Sequence, residues 1–234
     1  MGGERPLWGC PEYRRFSQRN GYGRTPPESS WRSCGRECVS NPGSAIVWSA
    51  SGGTAAVING LEAVYPEAYV LGPAYTVEVA PGDNLALHHA IGLAPAGTVL
   101  VVGNGGQQTA HLGDILAQAC SERGILGVII DGAIRDRPEI VKQQFPVFHV
   151  GTSPAGPAKD GPGAVERPVV VRGTRVEPGD IVCADADGVA VVAAGDWERV
   201  RGEIAALEAR EAEIMARIAA GETTVDIYGL KELS

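Results

Sequence analysis

The residues best suited to chemistry end one short stretch, Gly127-Val128-Ile129-Ile130-Asp131-Gly132-Ala133-Ile134-Arg135-Asp136. Its β-branched apolar run reads as a short buried strand. Gly132 then permits a tight turn, and the chain delivers Arg135 and Asp136 side by side. In α/β proteins ligands gather at the carboxyl ends of strands. An Arg there can grip a carboxylate or an enolate oxygen. An adjacent Asp is a hard oxygen ligand suited to Mg²⁺ or Mn²⁺. A surface ion pair at a strand end explains the same two residues, and on their own they leave both readings open.

Other candidates are weaker one by one. The run Thr98–Val102 reads as a second buried strand that leads into Gly103-Asn104-Gly105-Gly106 and then Thr109-Ala110-His111-Leu112-Gly113-Asp114-Ile115-Leu116. A Gly-rich loop between strand and helix leaves N–H groups free for an anion. A tight structural turn accounts for it equally, and the spacing is not that of a dinucleotide fingerprint. Asp114 complements the helix dipole, and His111 reads as a loop residue. Lys159 sits in a long Gly/Pro loop, residues 152–162, of functional length, and by itself reads as a surface lysine. On the last helix Glu211 falls in register with Trp197, Val200, Ile204, Leu207, Ile214 and Ile218. A carboxylate in an apolar seam is costly unless it is paired or used. Either the stripe turns to solvent there, or the helix packs on a neighbouring subunit and lends Glu211 to its site.

The elements that must position these groups follow from periodicity. Thr54–Ile58 reads as a short helix remnant. Residues 68–79 read as a strand broken by Gly72-Pro73, hence bulged or at an edge. Asn84 serves as an N-cap before a helix carrying Leu85, Leu87, Ala90, Ile91 and Leu93. Ile115, Leu116, Ala119 and Cys120 give the next helix its buried face, closed by Arg123-Gly124. A short helix at 138–143 begins with Pro138, and Pro146–Val150 and Val169–Val171 are strands. Ile181–Ala184 and Val189–Val192 form a β-hairpin. Asp196 caps the long final helix.

The whole chain narrows the classes. It has 234 residues, 44% hydrophobic and 21% charged, an ordinary globular composition with mass for one sizeable core. A net charge of −8 argues against nucleic acid as a partner. No apolar run of membrane-spanning length and no signal-peptide core occur, so neither a membrane association nor export is expected and the protein reads as cytoplasmic. Five cysteines, Cys10, Cys34, Cys38, Cys120 and Cys183, are expected as free thiols. Residues 1–50 read as an atypical, poorly ordered leader, Arg-, Gly- and Pro-rich up to about Pro42. Residues 51–234 read as a single catalytic domain ending in the long helix.

Taken together these segments resemble the class II 4-hydroxy-4-methyl-2-oxoglutarate aldolases and the RraA-like proteins related to them. The resemblance rests on Gly72–Val77, Gly82-Asp83-Asn84, Gly113–Leu116, Val128–Asp136, Pro146-Val147-Phe148, Pro178-Gly179-Asp180 and Asp185–Val189, in order from about residue 68 to 221. It implies a compact α/β sandwich of the swivelling, phosphohistidine-like domain type, assembled as trimers or hexamers with sites between subunits. It implies cleavage of 4-hydroxy-2-oxo diacids to pyruvate, with oxaloacetate decarboxylation as a side activity and a divalent metal, Mg²⁺ or Mn²⁺, as cofactor. By position, Asp136 would be the metal ligand and Arg135 would bind the substrate. Gly113, Asp114, Ile115 and Leu116 would hold the substrate carboxylate through their backbone. Asp114 would also orient water at the metal, Lys159 would be the loop lysine near the site, and Glu211 would reach the adjoining subunit's metal waters. Relatives that inhibit an endoribonuclease supply the alternative, a binding protein; the joint presence of Asp114, Asp136 and Glu211 favours the enzyme. The family's opening helix is not recognisable before residue 54.

Overall fold

Two runs of β-branched residues set the centre of the fold. Val99–Val102 and Val128–Ile130 are wholly inaccessible to solvent, as expected of strands covered on both faces. In the structure, a computed structural model that describes residues 41–231, they lie on neighbouring parallel strands. The arginine-rich leader up to residue 40, with Cys10, Cys34 and Cys38, lies outside the described residues.

The first elements are α1 (Ser44–Ala50), β1 (Ala56–Ile58), β2 (Glu62–Ala63), β3 (Val70–Val79) and α2 (Leu85–Leu93). β4 (Val99–Leu112), α3 (Asp114–Glu122), β5 (Gly127–Ile134), α4 (Arg137–Gln143), β6 (Val147–His149) and β7 (Gly151–Thr152) follow. The chain continues through β8 (Gly163–Val165), β9 (Val169–Val171), β10 (Thr174–Val176), β11 (Ile181–Asp185) and β12 (Gly188–Val192) to α5 (Trp197–Ala219) and α6 (Thr224–Tyr228). One mixed sheet runs in the order β1-β12-β11-β3-β4-β5-β6-β2, with β7 on β5 and β8 on β3, and β9–β10 forms a separate hairpin. β3 through β6 are parallel neighbours, whereas β1, β11 and β12 pair antiparallel. The architecture is therefore mixed α/β with one curled sheet.

Several expectations give way. β3 is an unbroken central strand, not an edge. Its first half, Val70–Pro73, pairs with β11 and its second half, from Ala74, with β4. Pro73, which has no N–H to donate, falls where the strand changes partner. Ala56–Ile58 is a strand rather than a helix remnant, because it pairs with Val189–Val191 of β12. Gly132 makes no turn; β5 runs through it to Ile134. The glycines at 103–106 form no loop into a helix either. β4 continues through them and stays on β5 through successive register shifts, as far as Leu112↔Ile134, which is how bulges extend and twist a strand.

The domain also begins earlier than residue 51. α1 occupies part of the stretch assigned to the leader. Ser44 opens it with its N–H and its hydroxyl both donating to Asp185, at 2.6 and 2.7 Å. A carboxylate at a helix N-terminus is favoured by the helix dipole. Val47 and Ala50 are buried against Val200 and Ile204 of α5 and Ala190 and Val192 of β12. Burying a Val or Ile side chain contributes about 1.5–3 kcal/mol, enough to hold a seven-residue helix that has no stability alone. Asp196 occupies the N-cap position of α5 without a capping hydrogen bond and faces Arg199 at 3.5 Å instead. α5 follows the expected apolar stripe with decreasing burial: Val200 and Ile204 are buried, Trp197, Leu207 and Ile214 are half-buried, and Ile218 is exposed. Among the described residues no helix is long and apolar enough to cross a membrane.

Candidate active site

β4 ends at Leu112 and α3 starts at Asp114, so Gly113 alone forms the joint between the central sheet and a helix N-terminus. Having no side chain, Gly113 makes no capping hydrogen bond to α3. The Ile115 N–H is taken by Oδ1 of Asp114 at 2.8 Å. The neighbouring strand β5 ends beside this joint, where Arg135 donates its N–H to the Leu112 carbonyl at 2.9 Å. This packing is as close as it can be. A Cβ on residue 113 would lie 2.6 Å from Oδ2 of Asp136 and 3.1 Å from Cγ of Arg135. A side chain here would force the Asp136 carboxylate and the Arg135 side chain to shift away from the helix start.

Asp136 has a left-handed backbone, φ 54°, and is the N-cap of α4. That conformation is uncommon for a residue with a side chain, though Asp tolerates it better than most. Such strain gathers at functional sites. The Asp136 carbonyl accepts from Glu139 and Ile140 at 2.9 and 3.1 Å, which ties the strained residue to its helix. Nε of Arg135 faces Oδ2 of Asp136 at 3.4 Å, with both side chains about 40% exposed. A solvated pair of that kind contributes about 0–1 kcal/mol, so either group can turn to a ligand at small cost.

A cavity of about 170 Å³ opens at this corner. Its lining comes from the joint and the start of α3 (Gly113, Asp114, Ile115, Leu116), from Arg135, from Asn84, His88 and His111, and from Pro157 and Lys159 of the long loop. Its charged lining groups are Arg135, Lys159 and Asp114. The loop that carries Lys159 is anchored by Asp83, a buried carboxylate at the start of α2. Asp83 accepts from the N–H groups of Leu85, Asp160 and Gly161, each at 2.8 Å. These hydrogen bonds, that of Leu85 foremost, hold its pKa below the ordinary aspartate value. A Cβ on Gly156 would sit 3.2 Å from Nη1 of Arg135, so the same loop lies against the guanidinium.

The structure thus brings together Gly113, Asp114, Ile115, Leu116, Arg135 and Lys159, with Asp136 adjoining. Glu211 is not brought there within one chain: it is exposed on α5 and does not line the cavity. Ile115 is no core residue, as its place in the helical stripe suggested; it is 74% exposed, on the cavity rim. His111 is no loop residue: it lies near the end of β4, is buried, and lines the cavity. Asn84 does not cap α2 through its side chain, which donates to the His111 carbonyl at 2.8 Å. Asn84, His88 and His111 were not legible as site residues. The signal for them was an Asp-Asn pair ahead of a helix, which also reads as ordinary capping.

Two thiols can be discounted. Burial raises Cys120 and Cys183 to about 12, and both are free.

Comparison with known proteins places this geometry. The family model described as RraA-like, aldolase/RraA, matches residues 41–192. The chain belongs to the RraA-like family. A Halalkalibacterium halodurans relative that carries a provisional 4-hydroxy-4-methyl-2-oxoglutarate aldolase name is 42% identical over 132 residues, 56% of this chain. This chain spans 63% of that relative's length. A crystal structure described as an S-adenosylmethionine:2-dimethylmenaquinone methyltransferase from Geobacillus kaustophilus is 38% identical, with a TM-score of 0.60 over 64% of this chain and 93% of that one. Streptomyces coelicolor RraAS2, described as an unusual member of the RNase ES inhibitor RraA family, is 28% identical, with a TM-score of 0.65 over 83% of this chain and 98% of its own. Members that share the fold thus carry three different functional names, and the choice among them falls to the site.

Proposed function

We propose that this RraA-like chain is a divalent-metal-dependent carbon–carbon lyase. It cleaves 4-hydroxy-2-oxo diacids such as 4-hydroxy-4-methyl-2-oxoglutarate to pyruvate and also decarboxylates oxaloacetate. One observation carries the reading: a helix N-terminus, the Arg135 guanidinium and the Asp114 carboxylate converge on one cavity, with Asp136 adjoining. A 2-oxo acid presents a carboxylate and a keto oxygen to those groups.

Among the described residues no group of three His, Cys, Asp or Glu side chains could hold a metal ion. That excludes an all-protein cage there, but it suits an ion that keeps waters and takes its other ligands from the substrate, as Mg²⁺ and Mn²⁺ do. Asp136 fits as the single carboxylate, fixed by its backbone in the cradle that Gly113 leaves open. The cation would supply Lewis-acid stabilisation of the negative charge left on the keto oxygen.

The chain's own groups do the rest. The first-turn N–H groups of α3 hold the substrate carboxylate. Arg135 places a fixed positive charge where negative charge develops. Asp114 holds the water that takes the C4 hydroxyl proton. Lys159 steers the anionic substrate. In a trimer or hexamer of the swivelling-domain type, the overhanging half of α5 would carry Glu211 to the cavity of an adjoining subunit, where it would share that water.

The test is pyruvate release from both substrates with Mg²⁺, then with EDTA, for the wild type and for Asp136→Ala. The reading requires metal-dependent release that Asp136→Ala abolishes while the circular dichroism spectrum is retained. No release by folded wild-type protein would sink it. Capture of an endoribonuclease by that inactive protein would then favour the regulator reading, which the likeness to RraAS2 supports.

A further inference from the structure

Lys159 and His88 both line the cavity and both are exposed, so a ligand in the cavity can reach them. The backbone fixes them beside each other. Ala158 donates its N–H to the Gly82 carbonyl at 2.8 Å, and its own carbonyl accepts from the Asn84 N–H at 3.1 Å. The Asp160 and Gly161 N–H groups donate to Asp83. Lys159 is thus pinned on both flanks to the start of α2. His88 lies one turn further along that helix, with its N–H on the Asn84 carbonyl at 3.1 Å.

Among the described residues neither side chain has a hydrogen bond or a salt bridge. Asp83, the carboxylate at the start of α2, is already taken by three backbone N–H groups. Partial burial foremost, and then the Lys159 charge, lowers the His88 pKa, so near pH 7 the ring is neutral and offers an N–H. An ammonium and a ring N–H with no protein anion between them suit a carboxylate.

The proposed chemistry leaves one such group of the substrate unassigned. A 4-hydroxy-2-oxo diacid has two carboxylates. The one beside the keto group is held by the start of α3, with Arg135 at the keto oxygen; the distal one has no partner. Resting on the lyase reading above, we infer that Lys159 and His88 together bind the distal carboxylate and make the site selective for diacids over 2-oxo acids that end in a methyl group.

Two acids of equal length that lack the C4 hydroxyl, and so cannot be cleaved at C3–C4, test this: 2-oxoglutarate, a diacid, and 2-oxopentanoate, which has a methyl in place of the distal carboxylate. Calorimetry with Mg²⁺ measures the Kd of each. Wild type should bind 2-oxoglutarate at least about tenfold more tightly, as expected of hydrogen bonds to a charged group. Lys159→Met and His88→Leu should each remove most of that preference and leave the Kd of 2-oxopentanoate within about twofold. His88→Leu removes no charge at pH 7, so its effect on the diacid is not one of long-range attraction. His88→Gln, which keeps a donor, should recover part of the loss. Tm by circular dichroism shows that each variant folds, and Leu at an exposed helical position is a good helix former.

Equal affinity of the wild type for the two acids, including binding of neither, overturns the inference. So does a parallel loss of both acids in folded variants, an unchanged preference, or no recovery by His88→Gln. Each of these leaves the lyase reading intact if the wild type releases pyruvate from 4-hydroxy-4-methyl-2-oxoglutarate; absence of that release together with binding of neither acid overturns both.

Discussion

Gly113→Ala tests whether the close packing at the sheet–helix joint is a requirement of the site or of the fold. The added Cβ would lie 2.6 Å from Oδ2 of Asp136 and 3.2 Å from Nε of Arg135. Ordinary separation requires the carboxylate to retreat by roughly 0.8 Å, and a misplacement of about 1 Å at a reacting centre costs about a hundredfold in rate. The left-handed backbone of Asp136 is tied to α4, so the side chain must absorb the movement. We therefore expect kcat/KM for pyruvate release to fall about a hundredfold, or about 2.7 kcal/mol of transition-state stabilisation. Stability should change little. Both crowded side chains are about 40% exposed and can yield into solvent, and exchanging Gly for Ala at an N-cap costs about 1 kcal/mol or less. Steady-state kinetics and a urea titration measure the two effects separately. Gly202→Ala is the control: its Cβ meets nothing within 4 Å, so it should add up to about 1 kcal/mol of helix stability and leave the rate alone. A Gly113→Ala enzyme with more than half the wild-type kcat/KM, or one that loses activity only in step with folding, would refute the reasoning.

Two further outcomes follow from the titratable groups. Asp83→Asn removes the charge that accepts the Leu85, Asp160 and Gly161 N–H groups and should lower Tm at pH 7. Because the folded pKa of Asp83 lies below its unfolded value, its contribution is complete above about pH 3.9 and drains as pH falls through the folded pKa. The Tm gap between wild type and Asp83→Asn should therefore narrow progressively as pH falls below about 4; a gap that does not narrow on acidification contradicts the anchoring role. Cys120 and Cys183, with thiols raised to about 12, should stay unalkylated by iodoacetamide at pH 8 and react once the protein is unfolded. Peptide mass spectrometry reads each position, and native labelling of either would contradict its burial.

Much of the scaffold could be read from local pattern. The Val99–Val102 and Val128–Ile130 runs, the Ile181–Val192 hairpin and the Leu85–Leu93 helix each announce themselves within their own length. Arg135 and Asp114 could be placed by the rule that strand ends make sites, and both line the cavity. What failed depended on distant partners. Ala56–Ile58 is a strand only because β12 supplies its ladder. The glycines at 103–106 stay extended only because β5 runs alongside. α1 is too short for a periodic signal and is held by α5. Ile115 followed the helical stripe but faces the rim, since the first turn of α3 opens onto a cavity. Asn84 and His111 were hidden for a related reason: they come from the N-cap of α2 and the end of β4, and only the tertiary fold brings them to the cavity that Arg135 lines.

The joining of β1 to β12, of Ser44 to Asp185 and of α1 to α5 has a consequence for synthesis. The start of the domain lacks its main partners, β12 and α5, until residues 188–204 have left the ribosome. During that interval Val47 and Ile58, both fully buried in the finished protein, remain exposed on a nascent chain whose central strands already have their neighbours. Late closure of this kind favours slow folding and transient association of unfinished chains. It also gives the C-terminal hairpin and helix a second task, that of a latch that completes the domain last. Chains truncated before residue 180 should accordingly emerge with an assembled β4–β5 centre and an open, adhesive edge at β3.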